Sequence, residues 1–291
     1  MSSILVFPGQ GSQSVGMGRD LYENNAAARA VFDEVDDALN QKLSDIIFNG
    51  PMDELTMTAN VQPAIMAVSI AMLRASGVPV TEYVAGHSLG EYTALCAAGA
   101  LSLADTAKLL RTRGNAMQAA APAGTGLTAV ILGLDIDTLL EICMATGADV
   151  ANDNSPGQVV ISGARDAVER AMDAAKNAGA KRAMALALSV PVHCRMQSPA
   201  AEKMAAALAN TEIKKPVAKL ISNKTAAPMD APEEIKKALV YQMTHGVRWR
   251  ESVLAMPALG ITETIEVGPG AVLTGLTPRI AADMTSKKLE I

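Results

Sequence analysis

The chain has 291 residues, 49% of them hydrophobic, 19% charged and 3% aromatic. This composition excludes a disordered chain and predicts a large core built from Ala, Val, Leu, Ile and 16 Met rather than from rings. A net charge of −5 (25 basic against 30 acidic residues) and a single Trp exclude nucleic-acid binding through bulk charge or base stacking, leaving room only for a local basic patch.

Cys96, Cys143 and Cys194 form no CxxC pair, so neither a disulfide framework nor a cysteine zinc site is expected. The N-terminal residues enter an apolar strand at once, without a basic leader, and no signal peptide is expected. Ala64 to Leu73 is the best membrane candidate, far short of the roughly 20 apolar residues a span needs. The chain reads as a soluble, reduced, cytoplasmic protein.

In chain order, Ile4 to Phe7 is a short apolar run that reads as a buried strand. Phe32, Val35, Leu39 and Leu43 follow at helical spacing. Pro63 suits the first turn of a helix through Ala75, with Gly77 as its stop. Tyr83 to Ala85 is a second strand, and Glu91 to Ala98 a helix. Ser102 with Asp105 predicts an N-cap for a helix through about Gln118. Strands at 128–133, 149–151, 158–162 and 182–189 alternate with helices at 136–145 and 166–178. Ser198 and Pro199 suit the N-cap and first position of a helix reaching Ala209. Lys219 to Ser222 and Thr264 to Val267 are the last two strands. Buried strands alternating with helices predict an α/β fold with a parallel sheet. The β-α-β-β-α-β order within 124–190 predicts a small ferredoxin-like subdomain. It interrupts a large α/β domain made of residues 1–123 and 191–291, with the segment 121–126 as hinge.

Gly86-His87-Ser88-Leu89-Gly90 carries the sharpest chemical signal. A strand runs into it and a helix runs out, the setting of a strand–nucleophile–helix elbow. Glycines are needed because a Cβ on either side of so tight a turn would clash. The Ser88 hydroxyl then stands at a helix N-terminus, where unpaired N–H groups can hold an oxyanion. The bland alternative is an N-capping serine. Three histidines are available as base. His87 adjoins the nucleophile and points away from it. His193, after the last strand of the inserted unit, and His245, in a Thr-His-Gly loop, both remain candidates. Cys194 is a weak rival nucleophile. Arg113 borders the apolar face Leu103, Ala107, Leu110, Gly114 and Met117 of its helix, where a guanidinium needs an anion. An internal salt bridge and a substrate carboxylate serve equally there. Phe7 to Gln13 is glycine-rich but fits neither a dinucleotide nor a P-loop pattern, and the Gln10 N–H is placed to serve as a second oxyanion donor.

Taken together, these residues resemble the malonyl-CoA:acyl carrier protein transacylases nearly end to end. The resemblance rests on Phe7 to Gln13, Gln62-Pro63-Ala64, Gly86 to Tyr92, Arg113-Gly114, Asn152 to Asn154, Gly157 to Gly163, Val190 to Cys194 and Glu266 to Leu276. It implies an α/β-hydrolase-like large domain with a ferredoxin-like insertion. It makes Ser88 the acylated nucleophile and His193 its partner, with the backbone N–H groups of Gln10 and Leu89 as oxyanion hole. Arg113 would pair with the malonyl carboxylate, and the Gln242 carbonyl would orient His193. Gln62 and Met117 would border the substrate, and Asn154 and Gln158 the pantetheine path. Val192 departs from the family pattern, in which Ser is common before the histidine. The resemblance implies ping-pong transfer from malonyl-CoA to holo acyl carrier protein for fatty-acid synthesis, by a monomer with no cofactor and no metal. The acidic carrier would need a basic patch, with Lys181, Arg182, Arg248 and Arg250 as candidates.

Two other readings compete. A serine esterase or thioesterase would draw its acid from Asp135, Asp137, Asp149 or Asp153, which lie between Ser88 and His193. A non-catalytic scaffold would need none of Ser88, His193 and Arg113.

Overall fold

The computed structural model describes residues 2–122 and 124–291. Ala123, at the expected domain boundary and within the expected hinge, lies outside the described residues.

The chain opens with β1 (Ser2–Phe7), five helices α1 (Arg19–Asn24), α2 (Ala26–Leu39), α3 (Leu43–Asn49), α4 (Met52–Thr56) and α5 (Thr58–Ser76), and then β2 (Tyr83–Gly86). Helices α6 (Gly90–Ala97) and α7 (Leu103–Ala120) follow. The inserted unit is β3 (Gly126–Leu132), α8 (Ile136–Thr146), β4 (Asp149–Ser155), β5 (Gln158–Ala164), α9 (Arg165–Asn177) and β6 (Arg182–Ala185). The chain then runs through α10 (Ser198–Ala209), β7 (Lys219–Ile221), β8 (Pro228–Met229), α11 (Pro232–Tyr241), α12 (Trp249–Ala255), β9 (Ile261–Glu266), α13 (Val272–Ile280) and β10 (Thr285–Lys288).

Two sheets result. The larger has the order β10-β9-β1-β2-β7-β8 and is parallel except for the β7–β8 pair. At its centre, Ile4, Leu5, Val6 and Phe7 are all fully buried. Leu5 and Phe7 face a core shared with α2, α5 and α7, while Ile4 and Val6 face Trp249, Val253, Leu273 and Leu276. Both faces are covered, which is why the strand reads as an unbroken apolar run rather than an alternation. The smaller sheet is antiparallel, in the order β4-β5-β3-β6. Counted within the unit, that is 2-3-1-4, the ferredoxin-like order. Its own core joins Ala129, Ile131, Val159 and Ile161 of the sheet to Leu139 of α8 and to Val168 and Ala171 of α9.

Several boundaries differ from expectation. Helix α5 begins at Thr58, so Pro63 lies inside it rather than in its first turn. Packing overrides the proline here: a Cβ on Gly114 of α7 would stand 2.5 Å from the Ala59 Cα, and the Gln118 side chain accepts the Ala59 N–H at 3.0 Å. The pattern from Phe32 to Leu43 is cut where Asn40 turns left-handed (φ 48°), and Leu43 starts a new helix. Ser198 is already helical, because a 3₁₀ turn over Arg195–Gln197 precedes it. Strand β6 stops at Ala185 instead of Ser189. The edge strands β8 and β10 were not anticipated; β10 reads Thr-Ser-Lys-Lys, polar as sheet edges are.

One seam fastens the two sheets together. The Val247 N–H donates to the Ala151 carbonyl at 2.9 Å, and the Asp153 N–H donates to the Val247 carbonyl at 3.0 Å. Arg250 of α12 clasps Asp153 of β4 at 2.8 Å. The Asp153 side chain is 8% exposed and that of Arg250 24%. Arg250→Ala strands a buried carboxylate and should cost about 2 kcal/mol, allowing for the partial exposure. Asp153→Ala should cost less, because the released guanidinium can turn to water. Urea unfolding of the two variants checks this order, and equal losses would mean that the pair contributes only through packing.

Candidate active site

The elbow is as tight as the glycines imply. A Cβ on Gly86 would lie 1.9 Å from the Gly90 carbonyl carbon, and one on Gly90 would lie 2.2 Å from the Phe7 carbonyl oxygen. Between them Ser88 is forced to φ 56°, a conformation that L side chains rarely adopt. Asn223, just past β7, ties the turn shut. Its Oδ1 accepts the Ser88 N–H at 2.9 Å and its Nδ2 donates to the Gly86 carbonyl at 2.8 Å.

His193 stands against the serine. Its Nε2 lies 2.7 Å from Ser88 Oγ, and its Nδ1 lies 2.7 Å from the Gln242 carbonyl oxygen. A carbonyl only accepts, so Nδ1 carries the proton and Nε2 is bare, ready to take the serine proton. Burial and the nearby Arg113 cation hold the imidazole down to about 3, partly opposed by the Gln242 hydrogen bond. The ring is therefore neutral across the physiological range.

Arg113 completes the cluster from α7. It is buried, and its Nη2 donates to Ser88 Oγ at 3.2 Å and to Gln242 Oε1 at 2.9 Å. Its Nη1 donates to Gln62 Oε1 at 2.7 Å. The guanidinium lies 5.8 Å from the Tyr92 ring centroid. Among the described residues no carboxylate forms an ion pair with it, and its Nε has no partner. Burial lowers its affinity for the proton.

These groups open onto a cavity of about 310 Å³. Ser88, His193, Arg113, Gln10, Leu89, Met117, Asn154 and Val192 all line it. No protein acceptor takes the N–H of Gln10 or Leu89 among the described residues. Asn154 Oδ1 lies 2.8 Å from His87 Nε2. Gln62 stands behind the wall as the Arg113 acceptor. Gln158 lies apart at the start of β5, its Oε1 accepting from Arg279 at 3.3 Å. His245 is exposed, stacked on Tyr241 with ring centroids 3.6 Å apart, and does not reach the serine. Cys194 is buried, which pushes its thiol up.

The four aspartates of the esterase reading are placed elsewhere. Asp135 caps α8, Asp149 pairs with Arg195 at 2.7 Å, Asp153 pairs with Arg250, and Asp137 is exposed. The position that an acid would take at His193 Nδ1 belongs to the Gln242 carbonyl. Of the candidate basic residues, Arg248 is paired with Glu251 and Arg250 with Asp153, while Lys181 and Arg182 are exposed. Among the described residues no group of three His, Cys, Asp or Glu could hold a metal ion, and no helix is long and apolar enough to cross a membrane.

Two residues were missed by sequence reasoning. Asn223 offered no signal beyond its place at a strand end. Glu91 lies within the elbow string yet carries a buried carboxylate that accepts the Asn223 N–H at 2.7 Å and the Gln242 side-chain amide at 2.6 Å. Burial pushes it up to about 7, against the pull of those hydrogen bonds and of Arg113.

A half-buried serine at a helix N-terminus, a neutral imidazole on its hydroxyl and two free N–H groups beside it can pass an acyl group through the serine. The chain matches the acyl transferase domain family over residues 4–286. It is 46% identical over 289 residues to the malonyl CoA-acyl carrier protein transacylase of Bacillus subtilis, covering 96% of this chain and 91% of that one. The acyl-carrier-protein-S-malonyltransferase of Bartonella henselae superposes with a TM-score of 0.97 at 50% identity, over 100% of this chain and 96% of that one. A malonyl-transacylase solved in complex with its type II PKS acyl-carrier protein gives 0.96 at 40% identity, over 100% and 97%. The chain belongs to the acyl transferase family and, within it, to the malonyl CoA-acyl carrier protein transacylases.

Because the Gly90 position abuts backbone, Gly90→Ala should destabilise the protein by at least about 2 kcal/mol, since main chain cannot swing aside as a side chain does. Denaturant unfolding tests this, and a loss under half that size would mean that the elbow relaxes around the extra methyl.

Proposed function

We propose that this enzyme moves the malonyl group of malonyl-CoA to the phosphopantetheine thiol of holo acyl carrier protein through a malonyl ester on Ser88, supplying extender units for fatty-acid synthesis. The observation that carries the choice of acyl group is Arg113, a buried guanidinium without an anionic partner, 3.2 Å from the serine oxygen. A substrate whose acyl chain ends in a carboxylate meets that cation, and each charge-assisted hydrogen bond contributes about 1.5–3 kcal/mol.

Ser88 Oγ attacks the thioester carbonyl while His193 Nε2 takes its proton. The oxyanion is held by the N–H groups of Gln10 and Leu89. The tetrahedral intermediate collapses, the carbon–sulfur bond breaks, and the thiolate of coenzyme A takes the proton from His193. In the second half the pantetheine thiol gives its proton to His193 and attacks the ester carbonyl; the intermediate collapses, the bond from the acyl carbon to Ser88 Oγ breaks, the serine oxygen recovers the proton from His193, and malonyl is left on the carrier as a thioester. The Gln242 carbonyl steadies the imidazole in place of a triad carboxylate. Gln62 steadies Arg113, and Met117 bounds the acyl end of the cavity. Asn154 borders the arm, with Gln158 farther out along the same path.

Arg113 also sets the energetics of the base. Its field disfavours a second cation on His193. A malonyl carboxylate against Arg113 offsets that field, so the charge being recognised also eases formation of the imidazolium. An acetyl group brings no such relief.

In this reading residues 1–123 and 191–291 carry the chemistry and 124–190 roofs the cavity. The enzyme acts as a cytoplasmic monomer and uses neither metal nor prosthetic group. The exposed Lys181 and Arg182 meet the acidic carrier.

Intact mass of the protein with malonyl-CoA alone should show one malonyl adduct, which moves to holo carrier on addition. An adduct that decays to free malonate with the carrier unloaded would make the protein a thioesterase. Ser88→Ala should form no adduct, and a persisting stoichiometric adduct would displace Ser88 as nucleophile. Arg113→Ala should lose roughly tenfold or more in malonyl-over-acetyl preference, as the loss of one charge-assisted bond predicts. Unchanged selectivity in competition between the two thioesters would make Arg113 structural.

A further inference from the structure

Glu91 touches no part of the cavity, yet two of its neighbours hold both reacting side chains. One carboxylate oxygen accepts the Asn223 N–H at 2.7 Å, and the Asn223 side chain clamps the Ser88 and Gly86 main chain. The other accepts Gln242 Nε2 at 2.6 Å. Gln242 in turn gives its Oε1 to Arg113, a second amide hydrogen to the Ser88 carbonyl at 3.0 Å, and its own carbonyl to His193. Arg113 can only donate, so the oxygen of the Gln242 amide must face it, and the NH₂ must face Glu91. Both bonds to Glu91 come from donors. A carboxylate satisfies both; a carboxylic acid or an amide would set hydrogen against hydrogen at one of them.

We propose that Glu91 is a positioning residue for this active site: its ionised carboxylate fixes the Gln242 amide and the Asn223 main chain, and through them the alignment of Ser88, His193 and Arg113. The proposal rests on the serine–histidine chemistry of the preceding section but not on malonyl as the acyl group.

A consequence for pH follows. The charged group that acts on Glu91 is Arg113 of α7, with Tyr92 beside it on α6, itself pushed up to about 12. The chain after β7 brings only Ser222 and Asn223, and the chain after α11 brings Gln242. Lys219 and Tyr83 stand against each other at the opposite ends of β7 and β2, and Arg74 at the end of α5 pairs with Glu34. Burial pushes Glu91 up to about 7, whereas burial and the Arg113 charge hold His193 down to about 3. As pH falls through 7, Glu91 takes a proton and one of its two bonds is lost, while His193 remains a neutral base.

The test is the rate at which a fluorophosphonate labels Ser88 between pH 5 and 9, followed by intact mass. In that reaction the serine oxygen bonds phosphorus, fluoride leaves and His193 receives the proton, so no thioester is involved. The wild type should lose reactivity below about pH 7. Glu91→Gln should label roughly tenfold or more slowly at pH 8, as expected for a small misplacement of reacting groups, with the acid limb gone. Glu91→Gln labelling at the wild-type rate throughout would overturn the proposal, as would a wild-type rate that stays flat down to pH 5. Should Glu91→Gln fail to fold, as judged by its thermal transition, Glu91→Asp takes its place: the withdrawn carboxylate should likewise slow labelling at pH 8, and labelling at the wild-type rate would overturn the proposal. A wild type that labels with this limb but takes no malonyl from malonyl-CoA would refute malonyl as the acyl group and still support the role of Glu91.

Discussion

The site depends on one constraint: the Arg113 guanidinium is buried without a carboxylate against it. A charge in that position must be compensated by dipoles. Gln62 and Gln242 each turn an amide oxygen towards it, Ser88 offers its hydroxyl, and the Tyr92 ring lies nearby. None of these neutralises the charge. The cation therefore projects its field on the imidazole beside it and keeps an unfilled demand for an anion. In the proposed function, affinity for an acidic acyl group and suppression of His193 protonation are thus two effects of the same residue.

The cluster can be held so closely because the main sheet delivers it from several directions. Strand β1 lies between β2 and β9 with its residues buried on both faces, and its end approaches the elbow so closely that only glycine fits at position 90. The unusual φ values of Ser88 and His193 belong to the same arrangement. Strain of this kind persists only where the surroundings over-determine the conformation. Here those surroundings are Asn223 across the elbow and the Gln242 carbonyl on the imidazole. A core of small and flexible side chains with few rings suits such close approach, since backbones come together where side chains are short.

Much of this was legible in the residues. The strand into Gly86 and the helix out of Gly90 carry local signals and formed within a residue of their expected places, and the apolar run from Thr264 lies in β9, which starts three residues earlier at Ile261. The β-α-β-β-α-β alternation was read from periodicity and turns. Arg113 was visible as a charge on the border of an apolar helix face, though periodicity alone left salt bridge and ligand level, and the chain likewise left His193 and His245 both open. What escaped were features made by tertiary packing. Pro63 sits within α5 because α7 packs on the turn before it. Strands β8 and β10 are edges, the first only two residues long and the second polar, so neither carries an apolar run. Asn223 and the Gln242 side chain act across 135 and 154 positions of sequence from Ser88, and no spacing rule reports on such a distance. Glu91 was in plain view in the motif, but its charge matters only once burial is known.

The route of the chain through the cavity has an evolutionary implication. Ser88 and Arg113 precede the inserted unit and His193 follows it, while Asn152, Asn154, Val160 and the segment 186–188 of the roof come from within it. Reaction chemistry and roof are thus encoded in separate stretches, joined by the seam at Asp153, Val247 and Arg250 and by the Asp149–Arg195 and Asn154–His87 contacts. Mutations in the roof can reshape the entry for a different carrier arm while the dyad and its support stay as they are. Mutations in the frame have no such latitude. Divergence in partner choice should therefore accumulate faster between positions 124 and 190 than in the surrounding frame, and that stretch is the unit whose exchange between relatives should carry one protein's preference into another.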